Sequence, residues 1–219
     1  MIYGLIYHIW IGGDFIKFSN KIPKFNEQTH TVLMNDGWMP LKEPKSLTNA
    51  MLLSMPFMVI NALLSIGIIY FFSTFSIKQF TFFTGDSISI TIDLSLIIVL
   101  LLVLIVHEFF HLIFIPNFLK SKDIIIGITF LGAFVHTEQT LTKARFILIS
   151  VAPFLILSIL FPLILCILGV LTGKMLFFIL INSLGASLDI LGLFLVLFQV
   201  PKKAVIKSNG TSTYWKLES

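Results

Sequence analysis

The chain has 219 residues, 57% of them hydrophobic and 12% charged, with a formal net charge of +4 and a mean hydropathy of +0.98. Soluble domains of this size carry about 25% charged residues, so the composition excludes an ordinary soluble globule and points to the membrane. No basic stripe with interleaved aromatics accompanies the positive charge, which argues against a nucleic-acid partner. The single cysteine, Cys166, excludes an intramolecular disulfide framework.

In chain order, Met1 to Gly13 is apolar but too short to span, and it ends in Gly12-Gly13-Asp14. It lacks the positive n-region and small-residue cleavage site of a signal peptide, so it reads as a strand or an interfacial segment. The first span is expected near residues 50–72, because no charged residue occurs between Lys45 and Lys78. A second, near 95–118, holds His107, Glu108 and His111 as its only titratable groups. The segment 120–145 follows. Its stretch from Ile124 to Val135 is apolar, β-branched, too short to span and interrupted by Gly127 and Gly132, which predicts one or two strands. This is either an interfacial hairpin or an edge that holds an extended substrate by strand addition. The third and fourth spans are expected near 146–170 and 175–199, the fourth with Asp189 as its one charged residue. Pro56, Pro153 and Pro162 fall inside spans, where neighbouring helices must satisfy the backbone groups they free.

Four spans sort the basic residues. Lys17, Lys21, Lys24, Lys42 and Lys45 precede the first; Lys120, Lys122, Lys143 and Arg145 lie between the second and third; Lys202, Lys203, Lys207 and Lys216 follow the fourth. Only Lys78 and Lys174 fall on the other side. The positive-inside rule then puts both termini and the 120–145 segment in the cytoplasm. The expected fold class is an all-α membrane protein of about four transmembrane helices, with a short strand-like cytoplasmic hairpin between the second and third. Its expected divisions are a cytoplasmic N-terminal segment (1–46), a membrane-embedded domain (47–200) and a cytoplasmic C-terminal tail (201–219). The Lys- and Ile-rich composition fits a bacterial cell-membrane protein.

His107-Glu108-Phe109-Phe110-His111 is an HExxH motif. On a helix, histidines four residues apart face one way and can bind one zinc, and the glutamate beside the first can take a proton from a zinc-bound water. Ionisable residues inside a span are costly and default to function; the competing reading is a polar cluster that packs helices or binds a proton. A hydrolytic zinc takes three protein ligands and keeps one position open. His111 lies about 8 residues and Asp189 about 10 from the cytoplasmic ends of their helices, so their depths agree within a turn. Asp189 is therefore the expected third ligand; His136 and Glu138 are polar ends of the strand-like segment, read first as a solvated loop face and otherwise as alternative ligands or substrate contacts. Asn182, seven residues before Asp189, shares its face roughly 10 Å away, which suits a substrate or oxyanion contact or a plain interhelical hydrogen bond. His8 and His30 have no partners at ligand spacing.

These residues resemble the site-2 protease group of intramembrane zinc proteases, which carry HExxH on one span and a later Asn…Asp motif on another. That resemblance implies zinc ligation by His107, His111 and Asp189, with Glu108 as general base. A closer likeness is to a bacterial family of multipass putative zincin peptidases, across roughly residues 35–215. It is carried by Gly37-Trp38, HExxH, Gly132-Ala133-Phe134-Val135-His136, Arg145 with Ala152-Pro153, and the run from Asn182 to Asp189. The site-2 pattern usually has prolines between Asn and Asp and a glycine after the Asp; here that interval has no proline and Ile190 follows Asp189.

The expected function is a zinc-dependent intramembrane or membrane-proximal peptidase, using Zn2+, the lipid bilayer and a membrane protein or peptide substrate. The alternative is a membrane transporter or sensor that binds metal or protons without hydrolysis; an inactive scaffold is a third reading.

Overall fold

The computed structural model describes residues 6–11, 14–73, 83–84, 87–88, 94–129 and 132–218. The chain opens with an antiparallel pair, β1 (Ile6–Ile11) and β2 (Asp14–Ser19). Helix α1 (Glu27–Asn35) follows, its N-terminus capped by Asn26 Oδ1, which accepts from the Thr29 amide. A two-residue strand β3 (Met39–Pro40) leads to α2 (Leu47–Phe72), capped in the same way by Ser46. Strands β4 (Phe83–Thr84) and β5 (Ser87–Ile88) pair before α3 (Leu94–Ile113). Next come β6 (Ile124–Thr129), β7 (Gly132–Thr137) and β8 (Leu141–Thr142). Helix α4 (Lys143–Phe154) runs through a π-helical stretch, Leu155–Leu160, into α5 (Phe161–Ile167). The chain finishes with α6 (Gly173–Gly185), α7 (Ser187–Gln199), β9 (Ala204–Asn209) and β10 (Ser212–Leu217).

Four helical stretches are long and apolar enough to cross a membrane: Leu47–Phe72, Leu94–Ile113, Lys143–Ile167 and Gly173–Gln199. They coincide with the four expected spans. Large apolar side chains such as Phe71, Ile98, Ile164 and Phe198 point outward from them, as lipid-facing helices require. The polar groups inside are small and paired. Ser65 Oγ donates to the Ser158 carbonyl at 3.0 Å and meets Ser183 Oγ at 2.7 Å, while Asn61 Nδ2 donates to the Ser183 carbonyl at 3.1 Å. This chain of short polar side chains joins α2, the π-helical stretch and α6.

The expected all-α class is overturned by two four-stranded sheets. One has the order β1-β2-β6-β7, with β2 and β6 parallel; the other has the order β3-β10-β9-β8 and is antiparallel throughout. The strand-like hairpin read from residues 124–135 is present as β6 and β7, yet it is half of a larger sheet. Gly127 permits the join, because a Cβ there would run into both the Ser19 carbonyl of β2 and the Phe134 ring of β7. The residues after 200 form the β9–β10 hairpin, which turns through Gly210 at φ +56°. Ala204, Ile206 and Tyr214 point inward from it. Tyr214 packs with Leu33 and Trp38, and its hydroxyl lies 2.7 Å from His30 Nδ1. The segments before α2, between α3 and α4, and after α7 are thus stitched together at one end of the helices.

Candidate active site

Helix α3 brings His107 and His111 one above the other, ring centroids 5.1 Å apart and both buried. Asp189 arrives from the first turn of α7, just past the junction at Ala186, which is completely buried against Phe154 and Ile190. An acidic group at a helix N-terminus is favourably placed against the helix dipole. His107 Nε2 lies 3.1 Å from Asp189 Oδ2, and His111 Nε2 lies 3.4 Å from Oδ1. One ligand atom from each of the three residues lies within 4.8 Å of the others.

The far nitrogens of both rings are held. His111 Nδ1 is 2.8 Å from the Ile149 carbonyl, which can only accept, so Nδ1 carries the proton. An unbroken α4 would offer that carbonyl the amide of residue 153. Residue 153 is proline and has no N–H. The group freed by a proline in one span is thereby taken up by a histidine of another. His107 Nδ1 is 2.9 Å from Asn182 Oδ1. Asn182 Nδ2 points the other way, to the Pro153 carbonyl at 3.4 Å and Ser158 Oγ at 2.8 Å, which fixes the amide and makes His107 Nδ1 the donor. With a proton on each Nδ1, neutral rings present two Nε2 lone pairs to the two carboxylate oxygens. Three acceptors converging on one point fit a cation, and two imidazoles with a carboxylate are a donor set suited to zinc.

A cavity of about 280 Å³ opens beside this cluster, lined by Glu108, His111, Asp189, Ser150, Ser208 and the β7 residues Phe134–Thr137. Glu108 takes a hydrogen bond from the Val135 backbone. It also borders an apolar groove of about 220 Å³ between α3 and the β6–β7 hairpin. β7 is the edge strand of its sheet. His136 lines the cavity with its Nε2 buried and without a hydrogen-bond partner, and burial pushes its imidazole below the ordinary value.

The structure therefore brings together His107, Glu108, His111, Asp189 and, around the cavity, His136. Asn182 is buried, and of the two readings its position allowed, substrate contact or interhelical hydrogen bond, its amide here makes hydrogen bonds between helices, to His107, Pro153 and Ser158. Glu138 leaves β7 beyond the cavity lining, its amide donating to the Asp123 carbonyl at 3.1 Å. Gly185 needs no small side chain, since a Cβ there would meet nothing; the tight positions of that run are Ala186 and Ser187. Sequence reasoning missed the roles of four residues. Ser158 anchors Asn182. Ile149 and Pro153 together hold His111, and only a proline four residues after the acceptor hinted at it. Lys143, counted only as a flanking charge, is buried with its Nζ donating to the Leu197 and Val200 carbonyls at the end of α7.

No curated protein and no solved structure matches the chain. Residues 99–205 match the model of the family described as putative zincin peptidase, a stretch that holds all of these site residues.

Proposed function

We propose that the protein is a multipass membrane zinc peptidase that hydrolyses peptide bonds within or next to the bilayer, with His107, His111 and Asp189 as the metal ligands and Glu108 as general base. The observation that carries this reading is the convergence of three acceptor atoms on one point, beside a carboxylate that shares a cavity with His111 and Asp189. The four apolar helices support a membrane location, and the sorted lysines favour a cytoplasmic side for both termini.

Bound zinc supplies a Lewis acid for a peptide carbonyl and lowers the pKa of water. The chain's own residues do the rest. Asn182 and Ile149 hold the two rings so that both Nε2 atoms face Asp189. Glu108 lies one residue from His107 and accepts a proton on the cavity side, then returns it to the leaving amine. Its hydrogen bond from Val135 keeps the carboxylate beside the outer edge of β7. That edge suits an extended substrate segment, because strand addition exposes every scissile carbonyl that a helix hides. His136 Nε2, buried and unpaired at the cavity wall, is the donor we assign to the substrate or to charge developing on its carbonyl oxygen.

The test is a Glu108→Gln variant of the full chain in proteoliposomes, assayed for zinc by mass spectrometry and for cleavage with a fluorogenic peptide library. The variant should keep its zinc and lose at least about a hundredfold in cleavage rate, the usual contribution of a general base. Undiminished cleavage would sink the mechanism. Stoichiometric zinc in a wild type that yields no product would favour the transporter or sensor reading.

A further inference from the structure

A second cavity, of about 660 Å³, lies away from the candidate active site, where the loop before α2 meets α7 and the start of β10. Its two halves differ in chemistry. The inner wall is a stripe on α7, Leu188, Leu191, Gly192 and Leu195, faced by Ala50 of α2. The stripe covers roughly 10 Å of helix. The mouth carries Lys42 and Lys45, both exposed and without an ion-pair partner among the described residues. Lys42 is held at the end of α7, its amide donating to Gln199 Oε1 and its carbonyl accepting from Gln199 Nε2, each at 2.9 Å. The acidic residue between the lysines, Glu43, does not neutralise them. Its carboxylate accepts from the Thr213 amide at 2.7 Å, and burial raises its carboxyl above the ordinary range.

We infer that this cavity is a binding site for one anionic glycerophospholipid, with the phosphate at Lys42 and Lys45 and the acyl chains along the α7 stripe. A soluble anion would use only the mouth. A zwitterionic lipid would fill the apolar wall but leave the two ammonium groups without a counter-charge. The site stands where the loop enters the first span, the depth at which headgroups lie and where basic pockets between helices take anionic lipids. The inference requires the helices to lie in a bilayer and does not depend on hydrolysis. The occupied site would sit one helical turn beyond Asp189 on α7, bracing the α2–α7 pair.

Gly192 lines the cavity and a Cβ built there meets nothing within 4 Å, so Gly192→Phe directs a bulky side chain into the cavity. The full-length protein in detergent would be titrated with equal amounts of phosphatidylglycerol and phosphatidylcholine and its lipid adducts counted by native mass spectrometry. Wild type should prefer the anionic lipid by more than tenfold, since each basic residue at an anionic surface contributes about a fivefold factor. Lys42→Glu/Lys45→Glu should bring that preference to unity or below, Lys203→Glu should leave it intact, and Gly192→Phe should abolish the adduct. Thermal unfolding of each variant without lipid checks that the fold survives. Equal binding of the two lipids by wild type, an adduct that survives Gly192→Phe, or displacement by millimolar inorganic phosphate would each overturn the proposal.

Discussion

Pro153→Ala should weaken zinc binding while leaving the fold at least as stable. The substitution restores an amide at position 153, four residues beyond the Ile149 carbonyl that now accepts from His111 Nδ1 at 2.8 Å. A helical N–H(153)→O(149) bond then competes for that carbonyl. The oxygen has two lone pairs, so His111 loses part of its anchor rather than all of it. Loss of a group that orients a metal-binding histidine costs 10- to 100-fold in affinity, and partial competition argues for the lower end, about tenfold or ~1.4 kcal/mol. The stability change runs the other way. Relief of a proline in a helix interior is worth up to ~3 kcal/mol, and the methylenes lost from this buried site return roughly 1–2 kcal/mol of that. The assay pairs zinc occupancy across a chelator series with thermal unfolding of the metal-free protein. An unchanged zinc affinity in a variant of unchanged apo stability would refute the idea that the proline sets the histidine. A variant whose apo form unfolds early would refute the energetic reasoning.

Three further outcomes are expected. Asn182→Leu removes the acceptor for His107 Nδ1 and should cost 10- to 100-fold in zinc affinity, read by chelator competition; were Asn182 a substrate contact, KM would move and zinc affinity would not. Asp189→Ala should empty the site under conditions that keep wild type loaded, measured as zinc per chain by elemental analysis, and full occupancy would transfer the third ligand to His136 or Glu138. Lys143→Met leaves the Leu197 and Val200 carbonyls without their donor and should cost ~1–3 kcal/mol, visible as a drop of several degrees in Tm, whereas an unchanged Tm would mean that water replaces the ammonium.

Much of the candidate site was legible because its residues are anomalies where they stand. Two histidines, a glutamate and an aspartate in otherwise uncharged spans advertise themselves, since each is expensive there. Depth along a helix is a one-dimensional quantity, so counting residues was enough to pair Asp189 with His111. Asn182 shows where such counting stops. Its rise above Asp189 was readable, but the turn of its side chain toward His107 depends on Pro153 and Ser158, which belong to a helix about 25 residues earlier in the chain. The proline itself was readable as a source of a freed carbonyl. Which group would claim that carbonyl was not, because the claimant lies on another span.

The sheets failed to show for a different reason. Local signals for the second one were present: Ala204 and Ile206 alternate with Val205 and Lys207, and Asn209-Gly210 is a strong hairpin turn. Against a background of long apolar runs, a short polar segment after the last span reads as a tail. The first sheet offers less. β2 and β6 are parallel and separated by two of the long apolar helices, and a parallel pair announces itself through neither a turn nor a register. Only Gly127 betrays it, as a residue without a side chain at the point where strands pair on both sides. The consequence for function is direct. The hairpin that lines the candidate active-site cavity is fixed from behind by residues 17–19, so the N-terminal segment is part of what holds β7 beside Glu108, and the edge proposed to receive substrate belongs to a four-stranded sheet rather than a loose interfacial hairpin.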